Sequence, residues 1–197
     1  MNGLKRAAVA LAAVAFAAVP AHSQVISYTA SGAFTGGGCT ALSCSQDGFT
    51  LSYTAPSGTQ NVTSGLAGSL GSFFTESNGT SSNTTFSGVG FTLTIDQSNP
   101  LAPNTPFSGS IAGLLSMTGS GLVFTPSSPV LQIGSVSYAL KNLQNGGFTI
   151  GSPTAANVSV ESPLLATITT PEPSSIVLLT SGLIGLVPMA RRRRRSA

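Results

Sequence analysis

Two cysteines, Cys39 and Cys44, stand at C-x4-C spacing, and four carboxylates, Asp47, Glu76, Asp96 and Glu161, are spread through residues 24–170. Thiols and carboxylates can ligate metals, attack as nucleophiles or move protons, provided that suitable partners converge on them. Zinc takes four ligands, and two thiols without a histidine do not supply them. The one histidine, His22, lies in a leader-like segment expected to be removed, so Ser-His-Asp and Cys-His sets lack their base. A carboxylate pair is enough for glycoside hydrolysis. These four, however, are far apart in sequence and sit in polar, turn-like contexts, which suits solvated charges better than one apolar cleft. Asp96-Gln97-Ser98-Asn99 offers oxygen ligands of the kind calcium takes, but without EF-hand spacing. No catalytic, cofactor-binding or metal-binding residue is assigned, no cofactor is implied, and the expectation is a protein that is not an enzyme.

The segments that would position these residues read as β throughout. Val25–Ala30, Gly48–Tyr53, Phe91–Ile95, Val136–Leu140 and Val158–Val160 alternate apolar side chains with Ser or Thr, the period of a strand with one buried face. Turn formers separate them: Gly36-Gly37-Gly38, Pro56-Ser57-Gly58, Ser98-Asn99-Pro100 and Asn145-Gly146-Gly147. Gly-Phe-Thr-Leu occurs at 48–51 and 90–93, and Gly-Phe-Thr-Ile at 147–150. The irregular spacing does not support a solenoid or propeller, and the three copies read as turn-to-strand entries with each Phe in the core. Ser77–Ser87 is the most polar stretch and reads as a long exposed loop. Tyr28, Tyr53 and Tyr138 fall in strand-like patterns that place them in the core. The predicted fold is all-β, a single antiparallel β-sandwich or jelly-roll-like domain over residues 24–168.

Charge points away from nucleic acid. Only 7% of the chain is charged, and its formal net charge of +3 comes from the two ends. Lys5 and Arg6 lie at one end and Arg191–Arg195 at the other, whereas between them Lys141 alone faces the four acids of the middle region. A mildly acidic domain has no basic patch with which to neutralise phosphates.

The ends carry addresses. Lys5 and Arg6 precede an apolar run from Ala7 to Val19, then Pro20 and the small-x-small Ala21-His22-Ser23. This is the three-part build of a secretory signal peptide, residues 1–23. Its 13 apolar residues are short of the ~20 that span a bilayer. Cleavage by signal peptidase is expected after Ser23, leaving Gln24 first, with a cut after Ala21 as the second choice. In an oxidising exported compartment Cys39 and Cys44 then read as a local disulfide. Asn61, Asn78, Asn83 and Asn157 each begin an Asn-x-Ser/Thr triplet, as a chain rich in Ser and Thr produces by composition alone.

At the other end, Ser174–Ala190 is free of charge and of minimal length for a membrane helix. Arg191, Arg192, Arg193, Arg194 and Arg195 follow. Each arginine costs about 2.5–3.5 kcal/mol at the bilayer centre, so transfer stops there and the charges stay cytoplasmic. Pro171-Glu172-Pro173 precedes the apolar run. The prolines remove two backbone donors and favour an extended chain that a protease can bind.

Pro-Glu-Pro, a short apolar helix and an arginine cluster, in that order over residues 169–197, resemble the PEP-CTERM sorting signal of exported Gram-negative proteins, the substrates of exosortases. The resemblance implies a membrane-embedded protease as partner, a transient stay in the inner membrane, and removal of the tail near Pro171, Glu172 and Pro173. It further implies delivery to the cell surface or extracellular matrix, among exopolysaccharide or biofilm. Two roles for the mature domain then compete. One is a non-catalytic structural or adhesive protein. The other is a carbohydrate-binding module for the surrounding polysaccharide, which the absence of Trp disfavours because sugar rings stack on exposed aromatic faces. A permanent single-pass anchor is the alternative to cleavage.

Overall fold

The computed structural model describes residues 24–170 apart from Ser120. The expected signal helix, the cleavage positions Ala21 and Ser23, Pro171–Pro173, the C-terminal helix and Arg191–Arg195 lie outside the described residues. Among the described residues, no helix is long and apolar enough to cross a membrane. Residues 24–170 form one compact unit.

Its regular elements are strands. They are β1 (Val25–Thr35), β2 (Ser43–Gln46), β3 (Phe49–Thr54), β4 (Gln60–Thr63), β5 (Ala67–Ser77), β6 (Asn83–Asn99) and β7 (Thr105–Ser116). There follow β8 (Leu122–Pro126), β9 (Val130–Ile133), β10 (Val136–Leu140), β11 (Leu143–Gln144), β12 (Gly147–Ile150) and β13 (Val160–Thr169). One sheet runs β11-β12-β8-β7-β6-β1-β4 and the other β2-β3-β5-β13-β10-β9, with antiparallel pairing in both. The last strand, β13, enters the middle of the second sheet between β5 and β10. The chain therefore closes that sheet only when its final element arrives.

Alternation along each strand builds the core. In β1 Ile26, Tyr28, Ala30 and Phe34 are buried while Ser27, Thr29 and Ser31 face outward. The inward aromatic side chains of both sheets meet, with Phe73 of β5 and Phe91 of β6 at 4.8 Å between ring centroids. Phe34 and Phe124 pack on the same pair. Edge-to-face aromatic contacts add to the burial of apolar area that holds the sheets together.

Turn chemistry sets the tightest hairpins. Asp47 and Gly48 join β2 to β3, and Asn145 and Gly146 join β11 to β12, each pair with positive φ at both positions. That is the type I′ geometry whose twist matches antiparallel strands. Gly71 (φ +107°) sits where the pairing of β5 with β13 shifts register, and an added Cβ would meet the Thr54 carbonyl at 2.6 Å. The same irregularity falls beside Pro163, which explains how proline is accommodated inside a central strand.

Several expectations change. The loop expected at Ser77–Ser87 is only residues 78–82: Ser77 ends β5 and Asn83 opens β6. Thr84 and Phe86 are buried while Asn83, Thr85 and Ser87 are exposed, so the segment is an alternating strand written in polar residues. The Thr84 hydroxyl donates to Asp47 Oδ2 at 2.9 Å, which lets a polar side chain fill an inward position. Ser98 and Asn99 belong to β6 rather than to a turn, and Val158-Ser159 precede β13. The three Phe residues of the Gly-Phe-Thr motifs are buried as expected, but Gly90-Phe91 lies mid-strand rather than at an entry.

Candidate functional site at the chain's exit

The described chain leaves the domain at Thr170, and the turn between β4 and β5 receives it. Thr170 donates to Ser64 Oγ twice, from its amide at 2.9 Å and from its hydroxyl at 3.1 Å. The Gly65 amide donates to the Ile168 carbonyl at 2.7 Å, and the Ile168 amide to the Leu66 carbonyl at 3.0 Å. Ser64 in turn donates its amide to the Gln24 carbonyl at 2.9 Å. One turn thus ties together Gln24, the residue expected to follow the signal peptide, and Thr170, which precedes Pro171.

The neighbouring loop is fixed from inside. Gln97 is fully buried at the end of β6, accepts from the Tyr138 hydroxyl at 2.9 Å and donates through Nε2 to the Pro100 carbonyl at 2.5 Å. The Asn99 side-chain amide donates to the Val25 carbonyl at 3.0 Å. Tyr28 lies edge-on to Tyr138, with centroids 5.7 Å apart, and its hydroxyl donates across to the Ser69 carbonyl at 2.8 Å. Burial pushes the Tyr28 hydroxyl up to about 12. Tyr53, which donates to the Leu70 carbonyl, and Tyr138 are raised as well, by burial first and by repulsion from Tyr28 second.

Exposed apolar side chains stand among the polar ones at this end. Leu101, at the tip of the β6–β7 loop, is 88% exposed, Leu66 is 59% and Val25 is 46%. Asp47, Glu76 and Glu161 sit at the opposite ends of their strands, as the pairings Phe49↔Ser77 and Val160↔Thr75 show. Asp96 pairs with Thr29, inside β1, and the Lys141 amide meets the Leu165 carbonyl, well back along β13.

The remaining expected residues are accounted for elsewhere. Cys39 and Cys44 form a disulfide (S–S 2.00 Å), so the thiols are engaged with each other. Asp47 and Glu76, far apart in sequence, line one open cleft with Gln46, Thr50 and Asn78. Both carboxylates are exposed on its rim rather than enclosed by apolar walls. Glu161 accepts from the Ser72 hydroxyl at 2.6 Å, and Asp96 is exposed. Among the described residues, no group of three or more His, Cys, Asp or Glu side chains is placed to hold a metal. Sequence reasoning missed Ser64, Leu66 and Leu101, and read Gln97 only as one of the oxygen ligands in Asp96–Asn99, whereas its side chain is spent on Tyr138 and Pro100. Hydroxyls and amides are common in this chain, so only the pairing of strands marks Ser64 and Gln97. An apolar Leu101 directly after Asn99-Pro100 was the one visible signal.

Residues 169–195 match the PEP-CTERM protein-sorting motif, so the chain carries this motif from the end of β13 onward. No curated protein and no solved structure matches the chain.

Proposed function

We propose that this chain is an exported protein that an exosortase-type membrane protease processes at Pro171-Glu172-Pro173, releasing a non-catalytic β domain to the cell surface or extracellular matrix. There its role is structural or adhesive, among exopolysaccharide. The observation that carries the reading is the sorting motif at residues 169–195, which starts where the last strand ends. The motif supports export and membrane-associated processing. An outer surface rich in Ser and Thr, with only Lys141 and four scattered carboxylates charged, suits a hydrated matrix. A sugar-binding module would offer exposed aromatic rings, whereas Tyr28, Tyr53 and Tyr138 are in the core, and this favours the structural role over the binding one.

The test is the intact mass of the protein recovered from its native envelope and culture fluid. A species that starts near Gln24 and ends near Pro171 is expected. A species that retains Ser174–Ala197 would mark a permanent anchor and remove the processing step.

A further inference from the structure

We propose that the end of the β domain bearing Val25, Leu66 and Leu101 is a lipid-docking surface, which seats on the bilayer while the C-terminal tail is embedded. The proposal rests on the reading of the tail as membrane-inserted. Three exposed apolar side chains come from three separate places in the sequence and reach one end of the domain. The strands that carry them there are tied by Ser64–Gln24, Gly65–Ile168 and Asn99–Val25 hydrogen bonds. Single exposed apolar residues are ordinary, as Leu42 and Val158 are elsewhere on this domain. A group at the end where the chain departs toward an apolar segment is not.

The tether decides what this end faces. Only Pro171, Glu172 and Pro173 separate Thr170 from the uncharged run at Ser174. Three residues reach at most about 10 Å when fully extended. With the run in hydrocarbon, the exit end stands at the headgroup layer and has no room to retreat from it. Most of the domain's acids are kept away: Asp47, Glu76 and Glu161 lie at the other end, and Asp96 is set back three residues from the end of β6. Only Glu172, in the tether, is carried next to the bilayer. The Leu101 loop is held outward by the Gln97 side chain on the Pro100 carbonyl, so Leu101 enters the interface without first being ordered. With no basic residue nearby, the attraction is apolar insertion and is independent of anionic lipid.

The test uses the full chain, with Leu101→Cys and Leu66→Cys each labelled by an environment-sensitive dye, and Leu42→Cys and Val158→Cys as controls. The native cysteines are already joined in the disulfide. Each labelled protein is reconstituted into phosphatidylcholine vesicles with and without nitroxide-bearing lipid, and flotation separately reports whether the tail inserts. The expected result is flotation, with severalfold stronger quenching at 101 and 66 than at 42 and 158. It should be unchanged when phosphatidylglycerol replaces part of the phosphatidylcholine. Flotation with equal quenching at all four sites would overturn the docking surface alone and direct attention to a protein partner. Quenching that needs phosphatidylglycerol would overturn the apolar mode. Failure to float would remove both the inserted tail and the docking that depends on it.

Discussion

Tyr138, on one sheet, donates its hydroxyl to the Gln97 side chain on the other at 2.9 Å, and Gln97 passes the constraint on to the Pro100 carbonyl. A single buried amide therefore links the two sheets and shapes the loop that carries Leu101. Gln97→Ala leaves both the Tyr138 hydroxyl and the Pro100 carbonyl without this partner. The expected loss is about 1–3 kcal/mol in urea unfolding, with the slope unchanged. Tyr138→Phe removes only one bond and should cost less. The double variant should fall short of the sum of the two losses, and strict additivity would mean that the two side chains do not work as a pair.

Alkaline pH should unfold the domain through its tyrosines. Tyr28 is raised from 10.0 to about 12, and Tyr53 and Tyr138 shift in the same direction. The folded state then holds these protons more tightly than the unfolded chain. Stability is full below pH 10 and falls as pH rises from 10 through the folded values. Each tyrosine removes about 1.4 kcal/mol per pH unit within that window. Against a typical stability of about 5–15 kcal/mol, unfolding is expected before all three ionise. Tyrosinate absorbance and circular dichroism, followed together from pH 9 to 13, should change in one step. Ionisation well ahead of unfolding would contradict the burial account.

The disulfide should matter modestly. Cys39 and Cys44 are five residues apart, and closing so short a loop stabilises by about 2 kcal/mol on the chain-entropy account. The Cys39→Ser, Cys44→Ser double variant should fold, with a thermal midpoint lowered by a few degrees and a two-state transition retained. Cys44 is fully buried, so part of any larger loss would come from placing a hydroxyl in the core.

How far the sequence spoke depended on whether one face of a strand was written in apolar residues. Phe49, Phe91 and Phe148 announce their strands, and all three are buried. Thr84 hid half of β6, because a threonine satisfied by Asp47 occupies an inward position that the pattern reserves for an apolar side chain. The alternation read at Val158–Val160 reached only the first residue of β13, whose Pro163 is accommodated by the register shift against Gly71. The sorting residues were legible because their chemistry is local: two prolines, an uncharged run and five arginines need no tertiary partner. Ser64 and Leu101 acquire meaning only after β4, β6 and β13 are brought to one end, which is a non-local event.

The hold on the chain's exit can be tested at Ser64. Its hydroxyl oxygen accepts from both the amide and the hydroxyl of Thr170, whereas Ile168 is held independently by the Leu66 carbonyl. Ser64→Ala should therefore leave global stability within about 1 kcal/mol of the parent, because one partly buried site is lost at the strand's end. Hydrogen exchange should separate local from global effects. The Thr170 amide should lose its protection while the Ile168 amide keeps it. Ser64→Thr, which retains the oxygen, should restore protection at Thr170. If both amides were to speed up together, β13 would be releasing as a unit, and the exit would be held by the sheet rather than by this one hydroxyl.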